Sequence, residues 1–121
     1  MNALLRILNP FYLLSAGRYS MKGFAYMARR ERAFQQELIL LAVGVPLAIW
    51  LGESGVERVL LIVSILLAMI VEVVNSAIET AVDRISLERS ELSGRAKDLG
   101  SLAMLIALIN IVVIWALVLL D

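Results

Sequence analysis

The chain has 121 residues, 61% of them apolar and 18% charged, with 11 basic and 11 acidic side chains and neither cysteine nor histidine. A soluble fold of this length has too little interior to bury so much apolar surface, which predicts one small domain whose solvent is lipid. The zero net charge argues against a nucleic acid partner, and the missing residue types exclude disulfides, thiolate zinc sites and a histidine general base. Any chemistry must therefore use carboxylates, lysine, arginine, amides or hydroxyls.

Residues 1–32 are predicted to form a short amphipathic helix on the cytoplasmic surface of the membrane. The residue before a proline avoids the helical region, so Asn9 and Pro10 should interrupt the start of this segment. Helical spacing then places Arg18, Lys22 and Arg29 together on one side, where they face anionic headgroups. The simplest role for this helix is that of a membrane anchor.

Three apolar runs have the length that a bilayer demands, about 20 residues. They are 33–51, 59–78 and 99–120, separated by polar linkers at 52–58 and 83–98. Ten of the 11 basic residues lie before the first span or in the second linker, so the positive-inside rule places the N-terminus and that linker in the cytoplasm. The sequence thus predicts an all-α membrane protein with three transmembrane helices and an N-terminal surface helix, in a single domain.

Polar side chains recur at helical spacing along one face of the second span, and we call this set the carboxylate stripe: Glu72, Asn75, Ser76, Glu79 and Asp83. The stripe leads from the apolar span to the cytoplasmic surface, with Glu72 and Glu79 about 10.5 Å apart along the helix axis. A carboxylate at membrane depth costs about 2.5–3.5 kcal/mol, and such residues usually mark a functional path. The alternative is that the Asn75 amide and the Ser76 hydroxyl hydrogen-bond to neighbouring helices, while the carboxylate side chains extend to the membrane surface.

A second polar group follows in the run ELSGRAKD at 91–98. Ser93 is predicted to cap the third helix, which places Lys97 and Asp98 near its first turn. A helix N-terminus with Gly94 and a lysine is a plausible phosphate cradle. The alternative is a solvated loop with an ordinary cap.

Other polar residues complete the inventory. Glu31 and Glu37 add two acids where the surface helix meets the first span, and Asn110 in the third span is assigned to helix packing. No P-loop, dinucleotide-binding or protein-kinase motif is present in the sequence. Composition and spacing alone therefore indicate only a carboxylate-rich, metal-capable site at the cytoplasmic membrane surface.

The run EVVNSAIETAVDR at 72–84, followed by ELSGRAKD at 91–98, resembles the signature of the small bacterial integral-membrane diacylglycerol kinases. The resemblance covers nearly the whole chain and is weakest over 1–18, where Tyr12 stands in place of a family arginine. It implies an ATP-dependent lipid kinase of the bacterial inner (cytoplasmic) membrane. It also implies a homotrimer of three-helix protomers.

The resemblance further implies a role for each matching residue. Glu72 corresponds to the catalytic base, and Glu31 and Glu79 correspond to the ligands of Mg²⁺, which arrives as Mg-ATP. The ATP-binding positions are Tyr19, Glu31, Asn75, Glu79, Asp83, Glu88, Arg89, Lys97 and Asp98. The positions that contact the lipid are Ala33, Phe34, Gln35, Gln36, Glu37, Trp50, Arg58, Glu72 and Ser101.

The chemistry of phosphoryl transfer agrees with this inventory, because the reaction needs a base, positioning and a metal that bridges the phosphates. Mg²⁺ takes oxygen ligands, so the absence of histidine and cysteine is no obstacle. Glu72, deepest in the stripe, can meet a lipid hydroxyl, and Glu79, two turns nearer the cytoplasm, can meet Mg-ATP.

The leading interpretation is therefore phosphorylation of diacylglycerol to phosphatidate. An undecaprenol kinase of the same fold is the nearest alternative. The second alternative is a non-enzymatic proton-relay or transport subunit, since membrane carboxylates often serve pumps. The third alternative is an assembly protein without enzymatic turnover. Three spans cannot enclose both a lipid hydroxyl and a triphosphate, so we expect composite sites in the trimer, in which Glu72 of one subunit serves a nucleotide held by the neighbouring subunit's Lys97.

Overall fold

The computed structural model describes residues 2–85, 88 and 90–121. Within these residues it contains five helices and no strand: α1 (Ala3–Ile7), α2 (Pro10–Arg30), α3 (Arg32–Leu51), α4 (Gly55–Ile85) and α5 (Glu91–Leu120). The all-α prediction is confirmed. The chain divides into two compact units, Met1–Arg32 and Ala33–Asp121.

The first unit holds α1 and α2. The predicted interruption is confirmed: Asn9 is the N-cap of α2, its side chain accepts a hydrogen bond from the backbone N–H of Phe11, and Pro10 takes the first helical position. Proline suits that position because its missing N–H has no partner there in any helix. The helix is longer than predicted, with 21 residues, and the Lys22 ammonium lies 5.6 Å from the ring centre of Tyr19.

The second unit supplies the spans. In the part of the chain that the structure describes, α3, α4 and α5 are the three helices long and apolar enough to cross a membrane. The predicted linkers are too long, because Gly55–Arg58 already belong to α4 and most of 83–98 is helical. Hydropathy marks where the chain enters the bilayer, whereas caps and turns decide where a helix ends.

The three spans pack through a single face of α4. Its buried residues follow helical spacing and change from apolar to polar along the chain: Leu61, Ser64, Ile65, Ala68, Glu72 and Ser76. At Gly44 on α3, an added Cβ would lie 2.5 Å from Ile65 Cδ1 and 3.7 Å from Trp115 Cζ2, so at this position α3 faces side chains of both α4 and α5. The Trp115 indole N–H donates to Leu61 O and to Ser64 Oγ, both at 3.1 Å.

The outward faces of α3, α4 and α5 expose many large apolar side chains, as expected of a protein that faces lipid. The inward face of α5 is lined by small residues, since its buried positions are Gly94, Gly100 and Ala107. Small residues let helix backbones approach closely. The polar half of the α4 face therefore lies directly against the backbone of α5, and this contact positions the site.

Candidate functional site

The carboxylate stripe is formed as predicted, because α4 is continuous from Gly55 to Ile85. Exposure rises along it. Glu72 and Ser76 are buried, each with 6% of its surface exposed, Asn75 and Glu79 are half-buried, and the side chain of Asp83 is 45% exposed. The stripe therefore runs from a closed interior to the surface of the protein.

Asn75 connects the stripe to the next helix. Its Nδ2 donates to Oε1 of Glu79, one turn further along α4, at 3.4 Å. Its Oδ1 is buried without an ordinary hydrogen-bond partner and lies against Gly100 of α5. The amide is thus held between the two helices with its donor side toward a carboxylate.

An ion pair joins the two helices nearer the surface. The Lys97 ammonium on α5 lies 2.9 Å from Oδ1 of Asp83 on α4, and both side chains are partly exposed. The structure thus brings together two of the predicted ATP-binding residues from different parts of the sequence. An exposed ion pair stabilises the fold little, which leaves the lysine available to an arriving anion.

The start of α5 differs from the prediction. Ser90, not Ser93, is the N-cap, and Ser93 is the third helical residue of a capping box: Ser90 Oγ accepts from Ser93 N at 3.1 Å, and Ser93 Oγ accepts from Ser90 N at 2.8 Å. Lys97 and Asp98 consequently lie about two turns inside α5 and not in its first turn. The prediction of a cradle made by the helix N-terminus and Lys97 together is wrong.

An open groove does lie at the start of α5. Its volume is about 480 Å³, and it is lined by Ser90, Glu91, Gly94, Arg95 and Asp98. Arg95 also pairs with Glu91 at 3.5 Å, one turn away on the exposed side of the helix. The groove and the Lys97 ion pair thus place side chains of both charge signs along the first turns of α5.

Glu37 reaches the buried end of the stripe from α3. It is 4% exposed, neither of its carboxylate oxygens has a hydrogen-bond partner, and it is close enough to Glu72 for the two charges to interact. Beside it, Ala33 and Gln36 line a cavity of about 140 Å³ together with apolar residues of α3 and α5. Glu37 thus lies near the predicted base, and two further predicted lipid-contact residues share its cavity.

The remaining predicted lipid-contact residues lie elsewhere in the second unit. Phe34 is buried in α3 and Gln35 is exposed, while Ser101 is exposed on α5. Arg58 lies about 21 Å from Glu72 along α4. There its Nε donates to Ile49 O at 3.1 Å and closes the turn between α3 and α4, and Trp50 is 78% exposed beside it. The structure does not bring Arg58 and Trp50 together with the stripe.

The described cluster does not include four of the predicted nucleotide or metal residues. Tyr19 and Glu31 belong to the first unit, where Glu31 is the C-cap of α2 and donates its backbone N–H to Met27 O. Glu88 is exposed in the connection between α4 and α5, and Arg89 lies outside the described residues. Their roles stay predictions.

Mg²⁺ is the metal that the oxygen-only side chains of the stripe fit best. Among the described residues no three acidic side chains converge as a ready metal cage. This agrees with the way proteins usually hold Mg²⁺, through one or two carboxylates together with the phosphates of a substrate. Glu79, half-buried and next to the Asn75 amide, is the side chain of the stripe best placed for that task.

Two features of this site escaped the sequence analysis. The contact of Gly100 with Asn75 was not predicted, because Gly100 lies in an apolar run. The sequence indicated only a glycine inside a helix, which often marks a close approach of two backbones. The hydrogen bond between Trp115 and Ser64 was also not predicted. The sequence indicated only that both spans contain polar atoms, and a buried indole N–H usually has an acceptor. Neither observation identifies the residue that the glycine or the indole contacts.

Comparison with known proteins points to one family. The family model described as prokaryotic diacylglycerol kinase matches residues 18–119. The chain is 50% identical to a diacylglycerol kinase of Escherichia coli K12 over 107 residues, 88% of each protein. It is 51% identical to a diacylglycerol kinase of Pseudomonas aeruginosa over 109 residues, 90% of this chain and 89% of the relative. For the diacylglycerol kinase of Haemophilus influenzae the identity is 45% over 104 residues, 86% of this chain and 88% of the relative.

Proposed function

Because this chain belongs to the prokaryotic diacylglycerol kinase family, we propose that it transfers the γ-phosphoryl group of ATP to the free hydroxyl of diacylglycerol, producing phosphatidate and ADP. It is an enzyme of the kinase class and a membrane protein. The reaction takes place at the cytoplasmic face of the bacterial inner membrane, where the positive-inside rule places the N-terminus and the connection between α4 and α5.

The observation that carries this proposal is the gradient of burial along the carboxylate stripe. A lipid substrate approaches from the membrane and a nucleotide from the cytoplasm, so the two must meet along a path from buried to exposed. Glu72 is buried at one end, and Asp83 is exposed and paired with Lys97 at the other. One helix therefore presents a group to each substrate in the order in which the substrates arrive.

Glu72 acts as the general base in this mechanism. It accepts the proton of the lipid hydroxyl while the hydroxyl oxygen forms a bond to the γ-phosphorus, and the bond from that phosphorus to the β,γ-bridging oxygen breaks to release ADP. Burial supports the role, because a carboxylate closed off from water can meet the hydroxyl of a lipid that approaches from the membrane. Glu37 faces it from α3, so two carboxyl groups meet at this end of the site.

The half-buried part of the stripe serves the metal and the phosphates. Glu79 would bind Mg²⁺, and the Asn75 amide orients Glu79 by its hydrogen bond. When bound, Mg²⁺ neutralises charge on the phosphates of ATP. Lys97 moves from Asp83 to a phosphate oxygen when the nucleotide binds, since a phosphate offers an ammonium more charge than one carboxylate does.

The experiment that tests the proposal presents the purified protein, in mixed micelles, with γ-labelled ATP and one lipid at a time. We expect label in phosphatidate with diacylglycerol and Mg²⁺, and little label with undecaprenol. Preferential labelling of undecaprenol would keep the phosphotransfer chemistry and change the substrate. Absence of label in any lipid, together with proton flux that needs no nucleotide, would replace the kinase with a transport role.

A further inference from the structure

Asn75 of the site is in close contact with Gly100 of α5. Gly100 is buried on the face of α5 that packs against α4. A Cβ added there would collide with Asn75 Oδ1 and lie 2.9 Å from Asn75 Cγ, closer than real Cβ atoms come to their neighbours. A side chain at position 100 would therefore force this amide to move from its present position.

This contact also fixes which way the amide points. In glycine a hydrogen takes the place of Cβ, so the Cα–H of Gly100 is directed at Asn75 Oδ1, which has no stronger hydrogen-bond partner. With its oxygen held against α5, the amide turns its Nδ2 to Oε1 of Glu79, to which it donates at 3.4 Å. The orientation of the Glu79 carboxylate therefore depends on the bare backbone of the neighbouring helix.

We propose that Gly100 is a positioning residue of the kinase site: through Asn75 it holds the Glu79 carboxylate in the orientation that binds the metal of Mg-ATP. The proposal rests on the proposed function, because Glu79 binds metal only in that account. It extends the site onto α5 at a residue that contacts neither substrate nor metal. Since Lys97 lies one turn before Gly100, the same segment of α5 places the phosphate-binding lysine and the metal-binding carboxylate together.

Two other glycines serve as matched controls. A Cβ on Gly44 would also be crowded, but by the aliphatic Ile65 Cδ1 at 2.5 Å, so Gly44→Ala disturbs helix packing without touching the stripe. A Cβ on Gly55 meets nothing within 4 Å, so Gly55→Ala reports the effect of an added methyl in open space.

The test compares Gly100→Ala with both controls in the full-length protein. The side-chain amide of Asn75, assigned by its loss in Asn75→Ala, is followed by ¹⁵N NMR, and the affinity for Mn²⁺ is measured by EPR with a non-hydrolysable ATP analogue. We expect the Asn75 signal to shift and Mn²⁺ affinity to fall about 10-fold or more in Gly100→Ala alone, the scale seen when a metal ligand loses its supporting hydrogen bond. An unchanged signal and an unchanged Mn²⁺ affinity overturn the proposal.

A double variant separates positioning from general damage. In Asn75→Ala the amide is gone, so adding Gly100→Ala should leave Mn²⁺ affinity at the value of Asn75→Ala, and should allow folding even if Gly100→Ala alone does not fold. A further loss of affinity in the double variant, or its failure to fold where Asn75→Ala folds, overturns the proposal. If the wild-type protein makes no phosphatidate, the proposed function fails, while the Asn75 signal still decides whether Gly100 orients the amide.

Discussion

At the scale of single residues, burial separates the roles of chemically similar carboxylates. Glu72 is closed off from water, whereas Glu79 is half-buried and Asp83 reaches the surface. A base that takes a proton from a lipid hydroxyl works where water is scarce, and a ligand of Mg-ATP must be reached from the aqueous side. The three acids share one helix face, so depth is the property on which their proposed tasks differ.

Substitution of Glu79 tests the metal role. We expect Glu79→Gln to raise the Mg²⁺ concentration needed for half-maximal activity, because a neutral amide oxygen is a poorer ligand for Mg²⁺ than a carboxylate. The measurement is a Mg²⁺ titration of activity at saturating ATP. Glu53→Gln, which removes an exposed acid just before the start of α4, is the control. Superimposable titrations for all three proteins would assign the metal to other residues.

Sequence alone predicted the stripe because its members lie on one helix, where spacing fixes the shared face. It did not predict that Glu37 meets Glu72, or that Asn75 meets Gly100. Each of these contacts depends on where two helices cross, and that is decided by the fit of many side chains across the interface. Residues on one helix were therefore assigned correctly to a face, while their neighbours on other helices were not identified.

At the scale of helices, the start of α5 shows why a cap is hard to place from a motif. Ser90 and Ser93 are both good N-cap residues, and the apolar run that follows them begins only at residue 99. The structure resolves the choice by using both serines in one capping box. Helix α5 thereby has two turns before its apolar run begins, and these turns contain the polar residues that α5 contributes to the site.

The cap itself can be tested with Ser90→Ala. This variant removes the acceptor for Ser93 N and should destabilise the protein by about 1 kcal/mol. We expect faster amide hydrogen exchange over 91–94 and a lower free energy of unfolding in mixed micelles. Ser90→Asp keeps an acceptor and should behave like the wild type. Equal exchange rates in Ser90→Ala and the wild type would show that the capping box does not stabilise the first turn of α5.

The link between α4 and α5 inside the membrane offers a second helix-scale test. Trp115→Phe removes the donor to Leu61 O and Ser64 Oγ and should lower the free energy of unfolding by about 1 kcal/mol. Trp50→Phe, at a tryptophan that is 78% exposed, is the matched control and should leave stability unchanged. A larger loss in the control than in Trp115→Phe would contradict the assigned contact.

At the scale of the whole molecule, one chain offers three spans and a largely apolar outer surface. The cavity beside Glu37 is about 140 Å³, below the range of about 300–1,000 Å³ typical of ligand sites. We therefore propose that complete sites form between subunits of a closed homotrimer, with Glu72 of one subunit serving a nucleotide held by the neighbouring subunit's Lys97.

Mixed trimers test this arrangement. Glu72→Gln and Lys97→Ala should each be inactive alone. When the two are unfolded together in equal amounts and refolded as trimers, about a quarter of the sites should regain both groups if mixing is random and the ring is cyclic. If base and lysine come from the same subunit, every site lacks one of them and no activity returns. Cross-linking that verifies mixed trimers is the control for that outcome.

The central claim is that the buried end of the carboxylate stripe performs lipid phosphorylation, and the most direct measurement is the rate of phosphatidate formation by the wild type and Glu72→Gln side by side. With diacylglycerol and Mg-ATP at saturation, we expect Glu72→Gln to lose about 100-fold or more in turnover, the scale of general-base catalysis, while it still folds and binds Mg-ATP. Near-normal turnover in Glu72→Gln, or no phosphatidate from the wild type, would contradict the account.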